Sequence, residues 1–175
     1  MATVKEWSSA YACQAKADFM TYQALEGMRS EAAHGWSIPV CHKLQFLQMA
    51  CEKLAKAHLC TRGTAPASLQ GSHAYISKTL PVVIRQEMIA LNFRGKSAKS
   101  LATIANHIAQ EIEVLAPSVR RGAQRPDNCE YPWEDADGCI HAPLSWTFAS
   151  AQLIAQPAGR SVLKLIQSAI ERLMT

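Results

Sequence analysis

From residue 39 to residue 63 the chain reads PVCHKLQFLQMACEKLAKAHLCTRG. Val40, Leu44, Leu47, Cys51, Leu54 and His58 recur there at spacings of three and four, so one face of a helix carries them. This is the clearest stripe in the sequence. Pro39 suits a first-turn position, where its missing N–H costs nothing, and Gly63 follows as a stop. A helix with such a stripe must bury it against other helices, and this segment therefore predicts a helical bundle.

The flanking sequence supplies the partners. Upstream, Val4, Trp7, Tyr11, Phe19, Tyr22 and Leu25 predict a helix from about Val4 to Met28. Downstream, residues 61–71 are rich in Gly, Pro, Ser and Thr and predict a loop. Ser72 is a plausible N-cap for a third helix whose face is Ile76, Leu80, Val83 and Leu91. Pro81 should kink that helix unless it sits in the first turn. Gly95 closes it. Ser97 caps a fourth helix bearing Leu101, Ile104, Ile108, Ile112 and Leu115, which ends at Pro117. A last helix, about Gly159 to Met174, carries Val162, Leu163, Ile166, Ile170 and Leu173. The expected fold is an all-α, single-domain, up-down bundle of four main helices plus a C-terminal helix. Leu47, Cys51, Leu54, Ile104, Ile108 and Ile166 are its expected core.

Between Pro117 and Pro157 the pattern changes. Five prolines and the tryptophans Trp133 and Trp146 fall here, too aromatic for a floating linker. Asp137-Gly138 predicts a hairpin turn between Cys129–Trp133 and Cys139–Pro143. The arm is expected to fold onto the bundle or a second protomer, anchored by Tyr131, Trp133, Trp146 and Phe148, with Trp133 and Trp146 largely buried.

Composition bounds the function. The 175 residues suit one domain, and 49% apolar residues allow a real core. Only 18% are charged, and a thinly charged surface fits cover by another chain. A net charge of +4 permits an acidic partner without the steep basic bias of strong nucleic-acid binders. No targeting segment and no apolar run of membrane length is visible, so a cytoplasmic protein with no membrane contact is expected, its six cysteines as thiols. Cys129, Cys139 and His141, with Cys41 or His42, could be metal ligands, but structural zinc favours tight Cys-x2-4-Cys pairs. No metal or cofactor is expected; the two arm thiols should instead lie near each other across the hairpin. Asp127, Asp135 and Asp137 fit turns rather than a calcium loop. Glu52 and Lys56 are spaced to pair at i,i+4. His73, at the start of the third helix, should cap it or pack on the second, or contact a ligand. Arg120, Arg121 and Arg125, near Tyr131, Trp133 and Trp146, form the strongest basic cluster and a conceivable nucleic-acid surface.

Phe46-Leu47-Gln48-Met49-Ala50-Cys51-Glu52-Lys53-Leu54-Ala55-Lys56-Ala57 resembles the signature helix of HEPN domains, which runs aromatic, Gln, Ala, Glu-Lys and Lys. Ser72-His73-Ala74-Tyr75-Ile76-Ser77-Lys78-Thr79-Leu80 is similar to the family's Thr-His-Asp-Leu segment. The resemblance covers roughly residues 40–95 and implies a small helical bundle that dimerises. Many HEPN domains are metal-independent ribonucleases of toxin–antitoxin and phage-defence systems; others only bind nucleotides or RNA. The nucleases use Arg-x4-6-His, in which Arg holds the phosphate and His moves a proton near neutral pH. Here the literal match is Arg29-Ser30-Glu31-Ala32-Ala33-His34, which follows the first helix. The family carries the motif near the third and fourth helices, where Arg85, Arg94 and His107 are too widely spaced. The resemblance thus implies a binding module for RNA or nucleotides without an intact nuclease motif, contacted through His73, Lys53, Arg120, Arg121 and Arg125. The alternatives are a protein-binding helical bundle and a ribonuclease using Arg29 and His34.

Overall fold

A computed structural model describes residues 2–28, 38–117 and 127–174. The chain is mainly α-helical: α1 (Val4–Gly27), α2 (Val40–Thr61), the short α3 (Pro66–Gln70), α4 (Ile76–Ala90), α5 (Gly95–Glu113), α6 (Ala149–Ala155) and α7 (Pro157–Met174). A two-stranded hairpin, β1 (Trp133–Glu134) and β2 (Ile140–His141), and a 3-10 turn at Pro143–Ser145 precede α6. The four main helices and the closing C-terminal helix stand where the apolar spacing puts them.

Helix α1 opens with a capping box. Thr3 Oγ1 accepts from Glu6 N at 3.2 Å while Glu6 Oε2 accepts from Thr3 N at 2.6 Å. Three contacts order α1 against α2: Ser8 with Ala57, Asp18 with Lys53 and Glu26 with Lys43. As one number rises the other falls, so the two helices run antiparallel, in keeping with an up-down bundle. Helix α7 then closes the core against α1, α4, α5 and α6.

Helix α2 is more enclosed than a one-face stripe predicts. Leu47, Cys51, Leu54 and His58 of the stripe are buried, but so are Gln48, Glu52 and Lys56 beyond it, while Val40 at its start is exposed. Ala50, Ala55 and Ala57 keep the surface of α2 slim, and neighbours close on it from several sides. Its polar residues are therefore inside and need partners. Ile108 and Ile166 are in the core, whereas Ile104 is only half-buried; the α5 face is centred on Leu101, Ala105, Ile108 and Ile112 instead.

Other boundaries differ for local reasons. The segment 61–71 holds α3, which starts on Pro66 and buries Leu69. Ser72 does not cap α4, which starts at Ile76 after Tyr75. Its first turn is satisfied from α5: Glu113 takes Ser77 N at 2.9 Å and Ser77 Oγ at 2.6 Å. Pro81 lies in the interior of α4, past the first turn. Leu91 ends up exposed, because α4 stops one residue earlier.

The described part of the arm, from residue 127 on, folds onto its own chain. Gly138, at φ +80°, makes the hairpin turn at the expected Asp137-Gly138. The ladder pairs Trp133 with His141 and Glu134 with Ile140, shorter than predicted. Phe148 is fully buried and Trp133 buried, with Trp133 and Trp146 edge-to-face at 5.3 Å. Trp146 is only half-buried, and Tyr131 is exposed and anchors nothing. The two arm thiols do not meet across the strands. Cys129 is buried where its N–H bonds Leu115 O, while Cys139 is exposed at the turn beside Asp135.

Candidate functional site around His73

Because α2 is enclosed, Glu52 is nearly inaccessible, its side chain 8% exposed. Three groups converge on its carboxylate. Lys56 Nζ lies 2.7 Å from Oε1, at the expected i,i+4 spacing, and is itself 6% exposed. Gln48, one turn earlier, donates Nε2 to Oε2 at 3.2 Å. The third is His73, from the connection before α4, whose Nδ1 is 2.8 Å from Oε2. Burial opposes charge on Glu52, but the hydrogen bonds and charges of Lys56 and His73 outweigh it and hold the carboxyl below its ordinary value of 4.5.

His73 thus packs on the second helix rather than capping the third. With Glu52 ionised, Nδ1 donates to it, which leaves Nε2 as an acceptor in neutral imidazole and a donor in imidazolium. The imidazole stays 43% exposed, so a pre-oriented nitrogen faces outward from a fixed base. The group can bind an anion when protonated, or exchange a proton. The pKa of half-buried Tyr11 is raised above its ordinary 10 by burial first, then by Cys60, Glu52 and Tyr75 nearby. Tyr75 is fixed by its hydroxyl, which donates to Ser68 O at 2.9 Å, and Tyr11 packs near Trp7 at 6.0 Å between ring centres.

Lys53 points elsewhere. Its Nζ pairs with Asp18 Oδ2 of α1 at 2.8 Å, and Gln14 bonds the other oxygen at 3.0 Å. Lys53 and His73 are therefore not one site. Arg29, His34, Arg120, Arg121 and Arg125 lie outside the described residues. Arg85 and Arg94 are exposed at α4 and the start of α5, and His107 is exposed on α5.

The remaining candidates are structural. His141 gives Nε2 to Asp135 at 2.6 Å, and its ring packs on Trp146 at 4.9 Å. Among the described residues no group of three or more His, Cys, Asp and Glu gathers to hold a metal. Burial pushes the Cys51 thiol up to about 12 and raises Cys60 and Cys129, so none of these is a ready nucleophile. Among the described residues no helix is long and apolar enough to cross a membrane.

Gln48, Tyr11 and Tyr75 were not among the site residues expected from the sequence, although Tyr11 stands in the first helical stripe and Gln48 and Tyr75 in the HEPN-like segments. The i, i+4, i+8 spacing of Gln48, Glu52 and Lys56 was a usable signal, since a polar stripe on an enclosed helix must be internally paired. No family model, no curated protein and no solved structure matches the chain.

Proposed function

We propose that the chain is a HEPN-like binding module for RNA or nucleotides that meets its ligand at His73. The observation that carries the reading is a half-exposed imidazole held at 2.8 Å by a buried carboxylate. Holding the ring in advance lowers the ordering cost of binding, and its free edge offers a hydrogen bond to a phosphate oxygen. Tyr11, Tyr75 and Trp7 supply nearby aromatic surface of the kind on which unstacked bases rest. Among the described residues nothing in the contacts of His73 supplies an arginine, and the site is read as a binding site rather than a nuclease centre.

Fluorescence anisotropy with a labelled single-stranded RNA, and calorimetry with ATP, test this in EDTA at pH 6 and pH 8. Binding should be stronger at pH 6 and weaken with salt. His73→Ala should weaken it about tenfold or more. RNA should remain intact, and cleavage lost in Arg29→Ala would establish the ribonuclease reading instead. Equal binding by wild type and His73→Ala, or none by either, would overturn the proposal.

The protein-interaction reading rests on a separate feature. Val82 and Ile89 are exposed along α4, on the same side as Lys78 and Arg85, and Phe93 is exposed just past its end. An apolar row with basic neighbours fits an amphipathic helix with acidic flanks. Ile89→Asp should abolish capture of such a partner without touching RNA binding.

A further inference from the structure

At the opposite end of α2 from His73, a cavity of about 490 Å³ opens between α1, α2, α6 and α7. Lys43 at its edge is nine residues from Glu52, roughly 13 Å along the helix. Its walls include Leu44, Ile154 and Leu163, and its volume lies in the range of small-molecule sites.

Tyr22, Gln23, Glu26, Lys43 and Arg160 are its polar lining, and Tyr22 and Arg160 have spare hydrogen-bonding or charge capacity. Tyr22 is only 4% exposed, yet its hydroxyl has no hydrogen-bond partner among the described residues. Burial first, then the Glu26 carboxylate and Cys51, push the Tyr22 phenol up from its ordinary value of 10, so at neutral pH it is an O–H donor. Arg160 donates Nη1 to Ala155 O, the terminal carbonyl of α6, and pairs with no carboxylate among the described residues. Lys43 is 3.1 Å from Glu26, which is half-exposed and neutralises one of the two cations. Among the described residues one positive charge is left over, beside an apolar wall and a hydroxyl donor that lacks a protein acceptor. The Tyr22 hydroxyl is therefore a donor with no acceptor among the described residues, on the wall of a cavity in which a ligand oxygen could accept from it.

We infer that this cavity binds a small amphipathic anion, an apolar chain or ring ending in one carboxylate or phosphate. The apolar body lies on Leu44, Ile154 and Leu163; the anionic oxygens accept from Tyr22 and face Arg160. The inference does not depend on the role of His73.

Calorimetry with octanoate, octyl phosphate and uncharged octanol tests it on the full chain. Octanoate or octyl phosphate should bind at least about tenfold more tightly than octanol, and their ranking tells carboxylate from phosphate. Arg160→Gln should weaken the anion about tenfold or more, and Tyr22→Phe about two- to tenfold, with melting temperatures near that of the wild type. If octanol binds as well as the anions, if none binds, or if both variants bind the anions like the wild type, the inference fails. Tyr22→Phe removes one oxygen and keeps the ring, so the test survives even if Arg160→Gln disturbs the corner between α6 and α7.

Discussion

The two ends of α2 treat buried polar groups in opposite ways. Toward its C-terminus, Glu52 is surrounded by Lys56, Gln48 and His73, and both of its oxygens are used. Toward its N-terminus, Tyr22 of α1 has a buried ring, but its hydroxyl has no partner among the described residues and lines a cavity. A closed network is silent until one member is removed, and then the others are stranded. An open one has no protein partner to strand and keeps its hydrogen-bonding capacity for a ligand. Substitutions at the closed end should therefore be read in stability, and those at the open end in ligand affinity.

The largest effect is expected from Glu52→Ala. It leaves Lys56 charged, 6% exposed and alone, a situation that costs about 3–5 kcal/mol. Urea unfolding at pH 7 measures it, and a change near zero would mean that the carboxylate does not hold the cluster together. The same group sets an acid limb. Its folded pKa is depressed, so its contribution is complete above the ordinary 4.5 and is lost as pH falls through the lower folded value. Glu52→Gln should flatten that limb.

Next in size is Gly159→Ala, which attacks a wall of the open end. A Cβ at Gly159 would lie 2.1 Å from Leu153 O and 2.7 Å from Ile154 Cα. These are backbone atoms, so α6 and α7 must part to admit it, at about 1–3 kcal/mol or more. The variant should also lose octanoate binding, since Ile154 and Arg160 flank the same corner. Unchanged stability would show that the corner has slack.

The contrast between the two ends also marks what the sequence could reveal. Leu47, Cys51 and Leu54 were legible because burial on a helix repeats every three to four residues, and the Glu52–Lys56 pair because its partners are one turn apart. Enclosure of that pair was not legible, since it depends on α1 and on His73, which is twenty-one residues from Glu52. Short α3 and α6 lack the length to display a period: Leu69 is the single buried residue of α3, and α6 buries Ser150 and Ile154. Trp133 and Phe148 could be named as anchors from size alone, but Tyr131 shows that an aromatic ring next to Pro132 can equally be left outside. The cavity was beyond reach, because Tyr22 and Arg160 come from opposite ends of the chain and neither belongs to a motif.

His58 offers a smaller test at the closed end. Burial first, and the charges of Arg62 and Arg172 after it, depress its pKa below the ordinary 6.5. The unfolded chain then takes up the proton more readily than the folded one. Stability from this group is complete above 6.5 and is lost as pH falls toward the folded value. His58→Asn should remove that part of the slope between pH 7 and pH 5, by less than either substitution above. An unaltered slope would place the titration elsewhere.

The smallest stability effect should come from Tyr22→Phe, and the comparison depends on its being small. Most buried hydroxyls contribute a hydrogen bond, and removing one costs about 0.5–1.5 kcal/mol. Tyr22 has no such bond to lose among the described residues, while its ring stays packed near Phe19, at 5.9 Å between centres. The free protein should therefore shift by no more than about 0.5 kcal/mol, in either direction. Saturating octanoate stabilises any form that binds it, by an amount set by its affinity. Wild type and Tyr22→Phe should then melt together without octanoate and separate with it, the wild type higher. If the variant is already much less stable alone, the hydroxyl has a partner within the fold and the open end is not open.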